Sequence, residues 1–222
     1  MKITALGHSS FKITGKSDNG ENITVITDPF DAKMLGFNFP TTEADIVSIS
    51  HQHPDHNSLD KIKAKNEKLF VADTPGEFEI NDLRIYGHRS FHDEKEGKER
   101  GTNTIFTYDF KEARIAHLGD LGHELNSNLV EELENIEILF IPVGEGYTMN
   151  TKAIMSVIDD LEPLIVIPMH YKTDKHSADF KDLLTLDQFY EKSGYKGESK
   201  DEIVIKDKSD LPSGLTFIPL NF

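Results

Sequence analysis

Short apolar runs rich in Ile, Val, Leu and Phe recur along the chain and predict many strands. The predicted strands cover residues 2–6, 23–27, 46–50, 68–72, 83–86, 104–108, 114–117, 137–143 and 164–169, and the runs 203–205 and 215–220 are candidates for closing strands. Apolar residues spaced by three and four predict helices over about 125–134, 151–161 and 179–192. The first half is therefore strand-rich, and strands and helices mix in the second half.

The composition is typical of a compact globular protein. Of the 222 residues, 37% are hydrophobic and 28% are charged, and a chain of this length can bury a sizeable core within one domain spanning residues 1–222. There is no cysteine. Any metal must therefore be held by nitrogen and oxygen ligands, without thiolates.

The formal net charge of -15 argues against a general nucleic-acid binder, because such proteins carry basic surfaces that neutralise phosphates. Two bound divalent cations would nevertheless make one cleft locally positive, so a small anionic substrate remains compatible with this charge. No apolar run resembles a signal peptide core or approaches a membrane span. We therefore expect a cytoplasmic location and no membrane association.

Most of the titratable residues that suit a metal site follow predicted strands. Asp28 follows 23–27, the segment 51–56 follows 46–50, and His92, Asp120 and His170 follow the strands beginning at 83, 114 and 164. Strand ends meet at one edge of a parallel or mixed sheet, where ligand sites form. Five separate segments are thus expected to converge.

The segment 51–56 contains four titratable side chains. His51 and His53 are two residues apart in extended chain and point the same way, whereas Pro54 forces a turn that directs Asp55 and His56 towards a second position. Four such groups at one strand end would be costly to desolvate without a cation. One loop can therefore supply ligands to two metals.

The H-x-H-x-D-H pattern, with a preceding strand-end Asp28 and separate His92, Asp120 and His170, resembles the metallo-β-lactamase superfamily. The similarity spans roughly residues 1–172. Three further stretches, GHSSF at 7–11, HLGDLGH at 117–123 and IPMHY at 167–171, resemble the small bacterial and archaeal branch called metal-dependent hydrolases. Ascorbate-6-phosphate lactonase is a more distant relative of that branch.

This resemblance implies an α/β (α+β) fold, the four-layer αβ/βα sandwich with metals at one edge between two sheets. It also implies the ligand set: His51, His53 and His92 for the first metal, Asp55, His56 and His170 for the second, and Asp120 bridging them. Asp28 would orient a ligand imidazole through a hydrogen bond.

The resemblance also indicates which metals to expect. Flavodiiron oxidoreductases of the superfamily have Glu where this chain has His53, so two zinc ions are favoured here, with manganese or iron compatible with the same ligands. Two such ions, about 3.5–4 Å apart, lower the pKa of a bridging water. The expected nucleophile is the bridging hydroxide, Asp55 is the expected proton acceptor and Asp120 completes the catalytic pair.

The leading interpretation is a hydrolase of a small ester, lactone or phosphodiester. Only fifty residues separate Asp120 from His170, which leaves no room for the large inserted domain of the RNA-processing nucleases. A glyoxalase-type thioester hydrolase is an alternative, although the tail after His170 is short for one. A metal-binding sensor or interaction module without turnover is another.

Several residues have open or ordinary interpretations. His8 is predicted either to line the mouth of the site or to cap a turn, and Tyr147 either to shape the pocket or to belong to a structural turn. His176 is expected in a solvated loop. His88, His117 and His123 are expected to be structural histidines rather than ligands, and the charged run 93–100 is expected to be a mobile surface loop.

Overall fold

The computed structural model describes all 222 residues, which form fifteen strands, four helices and two short 3₁₀ helices. The strands are β1 (Lys2–Gly7), β2 (Ser10–Lys16), β3 (Asn22–Thr27), β4 (Thr42–Ala44), β5 (Ile46–Ser48), β6 (Ile62–Ala64), β7 (Phe70–Ala72), β8 (Gly76–Ile80), β9 (Leu83–Phe91), β10 (Thr102–Asp109), β11 (Arg114–His117), β12 (Ile138–Pro142), β13 (Ile165–Met169), β14 (Ile203–Val204) and β15 (Thr216–Phe217). The helices are α1 (Ala32–Leu35), α2 (Ser127–Glu132), α3 (Thr151–Leu161) and α4 (Leu186–Ser193), and the 3₁₀ helices are Ala178–Phe180 and Lys208–Asp210.

Two large mixed sheets form the centre of the molecule. The first has six strands in the order β14-β1-β2-β3-β5-β7, and the second has seven in the order β15-β13-β12-β11-β10-β9-β8. Strands β4 and β6 form a small separate pair. In the first sheet β3, β5 and β7 run parallel, as do β11, β12, β13 and β15 in the second.

The alternation of side chains along the strands explains why the two sheets pack face to face. Val25 and Ile46 of the first sheet and Phe140 of the second belong to one buried cluster of 23 residues between the sheets. Alternate residues of the same strands face outwards. Leu139 of the second sheet belongs to the buried cluster beneath α3 and α4, and Ile26 of the first sheet belongs to the cluster on the outer face of that sheet. Both faces of each sheet are therefore at least partly covered.

The predicted four-layer αβ/βα sandwich is confirmed, but its two outer layers are unequal. The second sheet is covered by a cluster that includes Ile154 and Val157 of α3 and Phe189 of α4. On the first sheet the covering segments are α1, of only four residues, and the 3₁₀ helix that contains Phe180. None of the helices is long and apolar enough to span a bilayer.

The strands that carry candidate ligands all end at the same edge of their sheets. Strand β1 is antiparallel to β2, which is antiparallel to β3, so β1, β3 and β5 share one direction. Strand β10 is antiparallel to both β9 and β11, so β9 runs in the same direction as β11, β12 and β13. The segments that begin at His8, Asp28, His51, His92 and His170 therefore emerge together.

Several elements differ from the sequence-based predictions, since strands β2, β4, β6 and β8 and helix α1 were not predicted and one helix begins later than expected. The helix predicted over 179–192 begins only at Leu186, because Thr185 caps it. The Thr185 hydroxyl accepts a hydrogen bond from the Gln188 amide, and Gln188 Oε1 accepts one from the Thr185 amide. Strand β2 escaped prediction because only Phe11 and Ile13 are apolar in it, although both are buried. Polar residues on the other face weaken the pattern of such a strand.

A buried hydroxyl pair links the two sheets and generates a test of their packing. Tyr108 Oη lies 2.6 Å from Ser48 Oγ, which joins β10 to β5 through the core. We expect Tyr108→Phe to lower the free energy of unfolding by about 1–3 kcal/mol, because it leaves the Ser48 hydroxyl buried without its partner. Urea unfolding monitored by circular dichroism measures the change. Tyr86→Phe, at a half-buried position on β9, is the control, and equal losses in both variants would contradict the role of the pair.

Candidate metal centre

Side chains from the converging strand ends form two adjacent groups of potential ligands. His51, His53 and His92 bring their ligand atoms within 4.8 Å of one another. A second group of the same compactness contains Asp55, His56 and His170, together with His8. The structure thus brings together every residue of the ligand set that the resemblance implied.

Asp120 lies between the two groups. Its Oδ2 atom is 3.2 Å from His92 Nε2 and 3.9 Å from His51 Nε2 on one side. On the other side it is 3.1 Å from His170 Nε2 and 3.4 Å from His56 Nε2. A single carboxylate therefore contacts imidazoles of both groups, which is the arrangement that a shared ligand requires.

Asp28 holds one imidazole of each group in a defined orientation. Its Oδ2 lies 2.9 Å from His56 Nδ1 and accepts a 2.6 Å hydrogen bond from Ser50 Oγ. Because Ser50 donates its only hydroxyl hydrogen to Asp28, its oxygen accepts from His51 Nδ1, 2.9 Å away. Both imidazoles thus carry hydrogen on Nδ1 and turn Nε2 towards the centre of the cluster.

Unpaired buried atoms show that a cation fits these residues. His51 Nε2, His56 Nε2 and Asp120 Oδ1 are all buried without a hydrogen-bond partner. Leaving such atoms unpaired inside a protein costs roughly 1–3 kcal/mol each. Imidazole nitrogens and carboxylate oxygens are suitable ligands for zinc, manganese or iron, so a metal would satisfy all three atoms.

The electrostatics of the cluster also favour a positive charge. Burial would lower the pKa of His56, but the carboxylates of Asp120 and Asp55 raise it well above the usual histidine value. Burial would raise the pKa of Asp120, but His170 and His56 lower it well below the usual range. Burial, followed by repulsion from His56, lowers the pKa of His51 to about 3 and keeps this imidazole in the neutral form that binds metals.

The backbone is strained where the strands deliver these residues. His8, Asp28 and His170 have φ values of +54°, +38° and +54°, in the left-handed region that non-glycine residues rarely adopt. Gly119, with φ +55°, precedes Asp120, and a Cβ there would collide with Ser50 and Asn103. The turn before Asp120 therefore requires glycine.

A pocket of about 270 Å³ opens onto the cluster. Its eleven lining residues are Met34, His53, Pro54, Asp55, His92, Arg100, Asp120, Tyr147, His170, Asp179 and Phe180. Tyr147, one of the two open candidates, therefore does lie at the pocket, where its hydroxyl donates to the Asp179 carbonyl at 3.1 Å. Arg100 is the only cationic side chain among these residues, and its guanidinium carbon lies 5.1 Å from the centre of the Tyr147 ring.

The other open candidate, His8, does not line this pocket. Its side chain is fully buried, and its ring packs 4.1 Å from that of His170 on the inner side of the ligand cluster. Burial, followed by repulsion from His170, lowers the pKa of His8 to about 3. His176 was expected in a solvated loop, and this is wrong: it is 8% exposed and contacts His8. The polar sequence around His176 conceals that contact.

The segment 93–100 is a surface loop, as expected, and its backbone is held by hydrogen bonds to one side chain. Asp93 accepts hydrogen bonds from the backbone amides of Lys95, Gly97, Glu99 and Arg100. Partial burial would raise the pKa of Asp93, but these four amides lower it to about 2. Because Asp93 follows His92 directly, the loop fixes the backbone of Arg100 relative to the cluster.

Sequence reasoning also missed two supporting residues. Asn103 Oδ1 accepts from the Asp120 amide at 3.0 Å, and its Nδ2 donates to the Leu118 carbonyl at 2.9 Å. Asn103 thereby holds both sides of the turn that presents Asp120. Ser50, described above, connects Asp28 to His51. Serine and asparagine are too common in loops for either role to be visible in one sequence.

The three histidines expected to be structural have partners outside the ligand cluster. His88 lies on β9 with Nδ1 2.9 Å from Glu132 Oε2, and His123 Nε2 accepts from the Phe91 amide. His117 Nε2 lies 2.9 Å from the Ser9 carbonyl oxygen, and its Nδ1 accepts from the Gly119 amide. These contacts support the turns around the site.

Residues 2–170, which include the whole ligand cluster, match the family model of the beta-lactamase superfamily domain. A UPF0173 metal-dependent hydrolase of Staphylothermus marinus is 27% identical over 194 residues, covering 77% of this chain and 83% of that protein. A UPF0173 metal-dependent hydrolase of Natranaerobius thermophilus is 26% identical over 192 residues, covering 78% and 84%.

Solved structures show the same similarity. A protein from Thermotoga maritima, described as a Zn-dependent hydrolase of the metallo-β-lactamase superfamily, is 32% identical and superposes with a TM-score of 0.78 over 99% of this chain and 97% of its own. Igni18, a metallo hydrolase from Ignicoccus hospitalis, is 22% identical with a TM-score of 0.63, covering 87% and 90%, and shares the fold.

The position of Asp28 generates a direct test of the centre. In Asp28→Asn, an amide NH₂ facing His56 Nδ1 would favour hydrogen on Nε2, the atom directed towards the cluster. We expect the variant to bind zinc about 10–100-fold more weakly in competition with a chromogenic chelator. Asp45→Asn, at a buried carboxylate that accepts from the Thr24 amide and Lys65, is the matched control. Equal zinc affinity in Asp28→Asn and wild type would contradict the role of Asp28.

Proposed function

Because the chain belongs to the beta-lactamase superfamily, and to its branch of small metal-dependent hydrolases, we propose that it is a binuclear zinc hydrolase of a small anionic ester, lactone or phosphodiester. The observation that carries the proposal is the position of Asp120 Oδ2, within 3.9 Å of the Nε2 atoms of four histidines drawn from two ligand groups. One carboxylate shared by two sets of imidazoles suits a pair of cations better than a single one.

The first zinc would be held by His51, His53 and His92, and the second by Asp55, His56 and His170, with Asp120 shared. Two such ions, when bound, lower the pKa of water and polarise the oxygen of an electrophile. His53 supports zinc over iron, because it places an imidazole where the flavodiiron enzymes of the superfamily have a harder carboxylate ligand.

The residues at the pocket have separable roles. The Asp55 carboxylate lines the pocket and would accept the proton that the nucleophilic water loses. Asp120 keeps the two ligand groups at a fixed separation, with its backbone amide bound to Asn103. The volume of about 270 Å³ limits the substrate to a small molecule or to the end of a larger one.

Arg100 supports an anionic substrate. The chain carries a net charge of -15, yet its pocket contains this one guanidinium, which makes no ion pair with any carboxylate within 4.0 Å. The Tyr147 ring supports the guanidinium from one side, and an arginine in this position can bind a carboxylate or phosphate with two parallel hydrogen bonds. We propose that Arg100 binds an anionic group of the substrate that lies away from the bond that is cleaved.

Metal analysis of the purified protein and a hydrolysis panel together test the proposed reaction. We expect about two zinc ions per chain, turnover of either bis(p-nitrophenyl) phosphate or an anionic lactone, and a loss of at least about 100-fold in kcat/KM for Asp120→Ala, because the ligand shared by both groups is removed. Asp159→Ala, at an exposed position on α3, is the control. Stoichiometric metal with no turnover of phosphodiesters, lactones, esters or thioesters would contradict a hydrolase and favour a sensor. A preference for thioesters would contradict the proposed substrate class.

A pair of substrates that differ only in charge tests Arg100. We expect Arg100→Gln to raise KM for an anionic lactone about tenfold or more, because a hydrogen bond to a charged group contributes about 1.5–3 kcal/mol. The KM of a neutral lactone of similar size should change less than about twofold. Lys98→Gln, in the same loop but outside the pocket lining, controls for the loss of one positive charge. A parallel rise in KM for both lactones would contradict an anion-binding role.

A further inference from the structure

Two buried histidines, His176 and His8, form a hydrogen-bonded row on the inner side of the ligand cluster that ends beside a carboxylate. Thr173 donates its backbone N–H to His176 Nδ1 at 3.1 Å. His176 Nε2 lies 3.2 Å from His8 Nδ1. His8 Nε2 in turn lies 3.6 Å from Asp55 Oδ2 and has no hydrogen-bond partner of its own. The row therefore ends with a buried ring nitrogen directed at a carboxylate of the proposed site.

The direction of these hydrogen bonds follows from one unambiguous donor. A backbone N–H can only donate, so His176 Nδ1 must accept, and the Thr173 hydroxyl, whose Oγ1 lies 2.9 Å from the same nitrogen, cannot receive a hydrogen from it. The hydrogen of the neutral His176 ring must therefore be on Nε2. His176 Nε2–H then donates to His8 Nδ1, which must also be unprotonated. His8 is therefore left with its hydrogen on Nε2, the atom that faces Asp55.

We infer that His8 directs an Nε2–H group at the Asp55 carboxylate and orients it from 3.6 Å, and that it is not a fourth ligand of the second metal, because Thr173 and His176 fix hydrogen on His8 Nε2. The inference rests on the proposed function, in which Asp55 is a ligand and proton acceptor. It assigns a role to a residue whose ring is otherwise close enough to His56 and His170 to belong to their ligand group.

The contrast with the proposed ligands is chemical. His51 and His56 donate from Nδ1 to oxygen atoms and leave Nε2 free for a cation. His8 accepts at Nδ1 and offers hydrogen at Nε2, so a cation could bind Nε2 only by reversing every hydrogen bond back to the Thr173 amide, which cannot be reversed. The two types of imidazole lie side by side, and their outer hydrogen bonds distinguish them.

The surroundings favour a fixed row. Phe180 packs 5.3 Å from the His8 ring and 5.5 Å from the His176 ring, and Phe37 packs 5.2 Å from His176. Water therefore has limited access to compete for these nitrogens. A donor held in this way would fix one Asp55 oxygen and restrict the orientation of the other.

Nuclear magnetic resonance measures the proposed hydrogen positions directly. Long-range ¹H–¹⁵N correlation spectra of histidine-labelled protein, metal-free and zinc-loaded at neutral pH, distinguish protonated from unprotonated ring nitrogens. The His8 and His176 signals are assigned by their loss in His8→Gln and His176→Gln. We expect hydrogen on Nε2 of both residues in both states. Hydrogen on His8 Nδ1, or a zinc-bound His8 Nε2, would overturn the inference.

Two substitutions of His176 separate orientation from simple packing. In His176→Gln, the side-chain oxygen accepts from Thr173 and the NH₂ donates to His8 Nδ1, so the row is retained. In His176→Ala it is lost. We expect the dissociation constant of the zinc held by Asp55, His56 and His170 to rise about 10–100-fold in the Ala variant. In the Gln variant it should change less than about threefold. Equal zinc affinities in the Ala, Gln and wild-type proteins would contradict the positioning role.

The spectra do not depend on turnover. A protein with hydrogen on His8 Nε2 but no hydrolytic activity would refute the proposed function and leave the hydrogen positions intact, whereas an active protein with a zinc-bound His8 would refute only this inference. If His176→Ala does not fold, as judged from its thermal unfolding, the wild-type spectra decide the question alone.

Discussion

The buried carboxylate of Asp28 is the interaction on which the candidate centre depends. It receives hydrogen bonds from the Ser50 amide and hydroxyl and from His56, and through Ser50 it also sets the orientation of His51. One negative charge at the end of β3 thereby fixes imidazoles of both ligand groups, and it ties the end of β3 to the end of β5. Because the hydrogen bond at one ring nitrogen leaves the other directed at the cluster, this carboxylate fixes which nitrogen of His51 and of His56 faces the candidate metal site.

The second sheet contributes the rest of the centre, and there too buried polar side chains hold the segments that carry the candidate ligands. Asn103 on β10 holds the turn that presents Asp120, while Asp93 gathers four amides into the loop after β9. These supports are effective only because the core between the sheets, with Phe11, Phe106 and Phe140, brings the two edges together. The metal centre is therefore a property of the packed sandwich, and neither sheet contains a complete ligand group.

The residues at this edge of the sheets divide into proposed metal ligands and residues that would bind the rest of the substrate. The histidines and carboxylates are the proposed ligands of the metals that would carry out hydrolysis. Arg100 and Tyr147 come from loops and form the outer part of the pocket, where a substrate would be selected. His8 lies on the inner side, where its partner His176 is outside the residues matched by the family model. The proposed metal ligands, the residues that would contact the substrate and the residues that orient a ligand thus come from different parts of the chain.

The sequence alone was enough to predict the two-sheet architecture through the resemblance, most strand positions, and the set of residues that gather at the edge. Apolar periodicity and the H-x-H-x-D-H spacing at 51–56 are local properties, so they can be seen in one chain. Tertiary structure alone revealed that His176 is buried against His8, that Asp93 orders its loop and that Arg100 reaches the pocket. These roles depend on partners distant in sequence or on backbone geometry. The hydrogen bonds that fix each ring nitrogen exist only once the two sheets have packed.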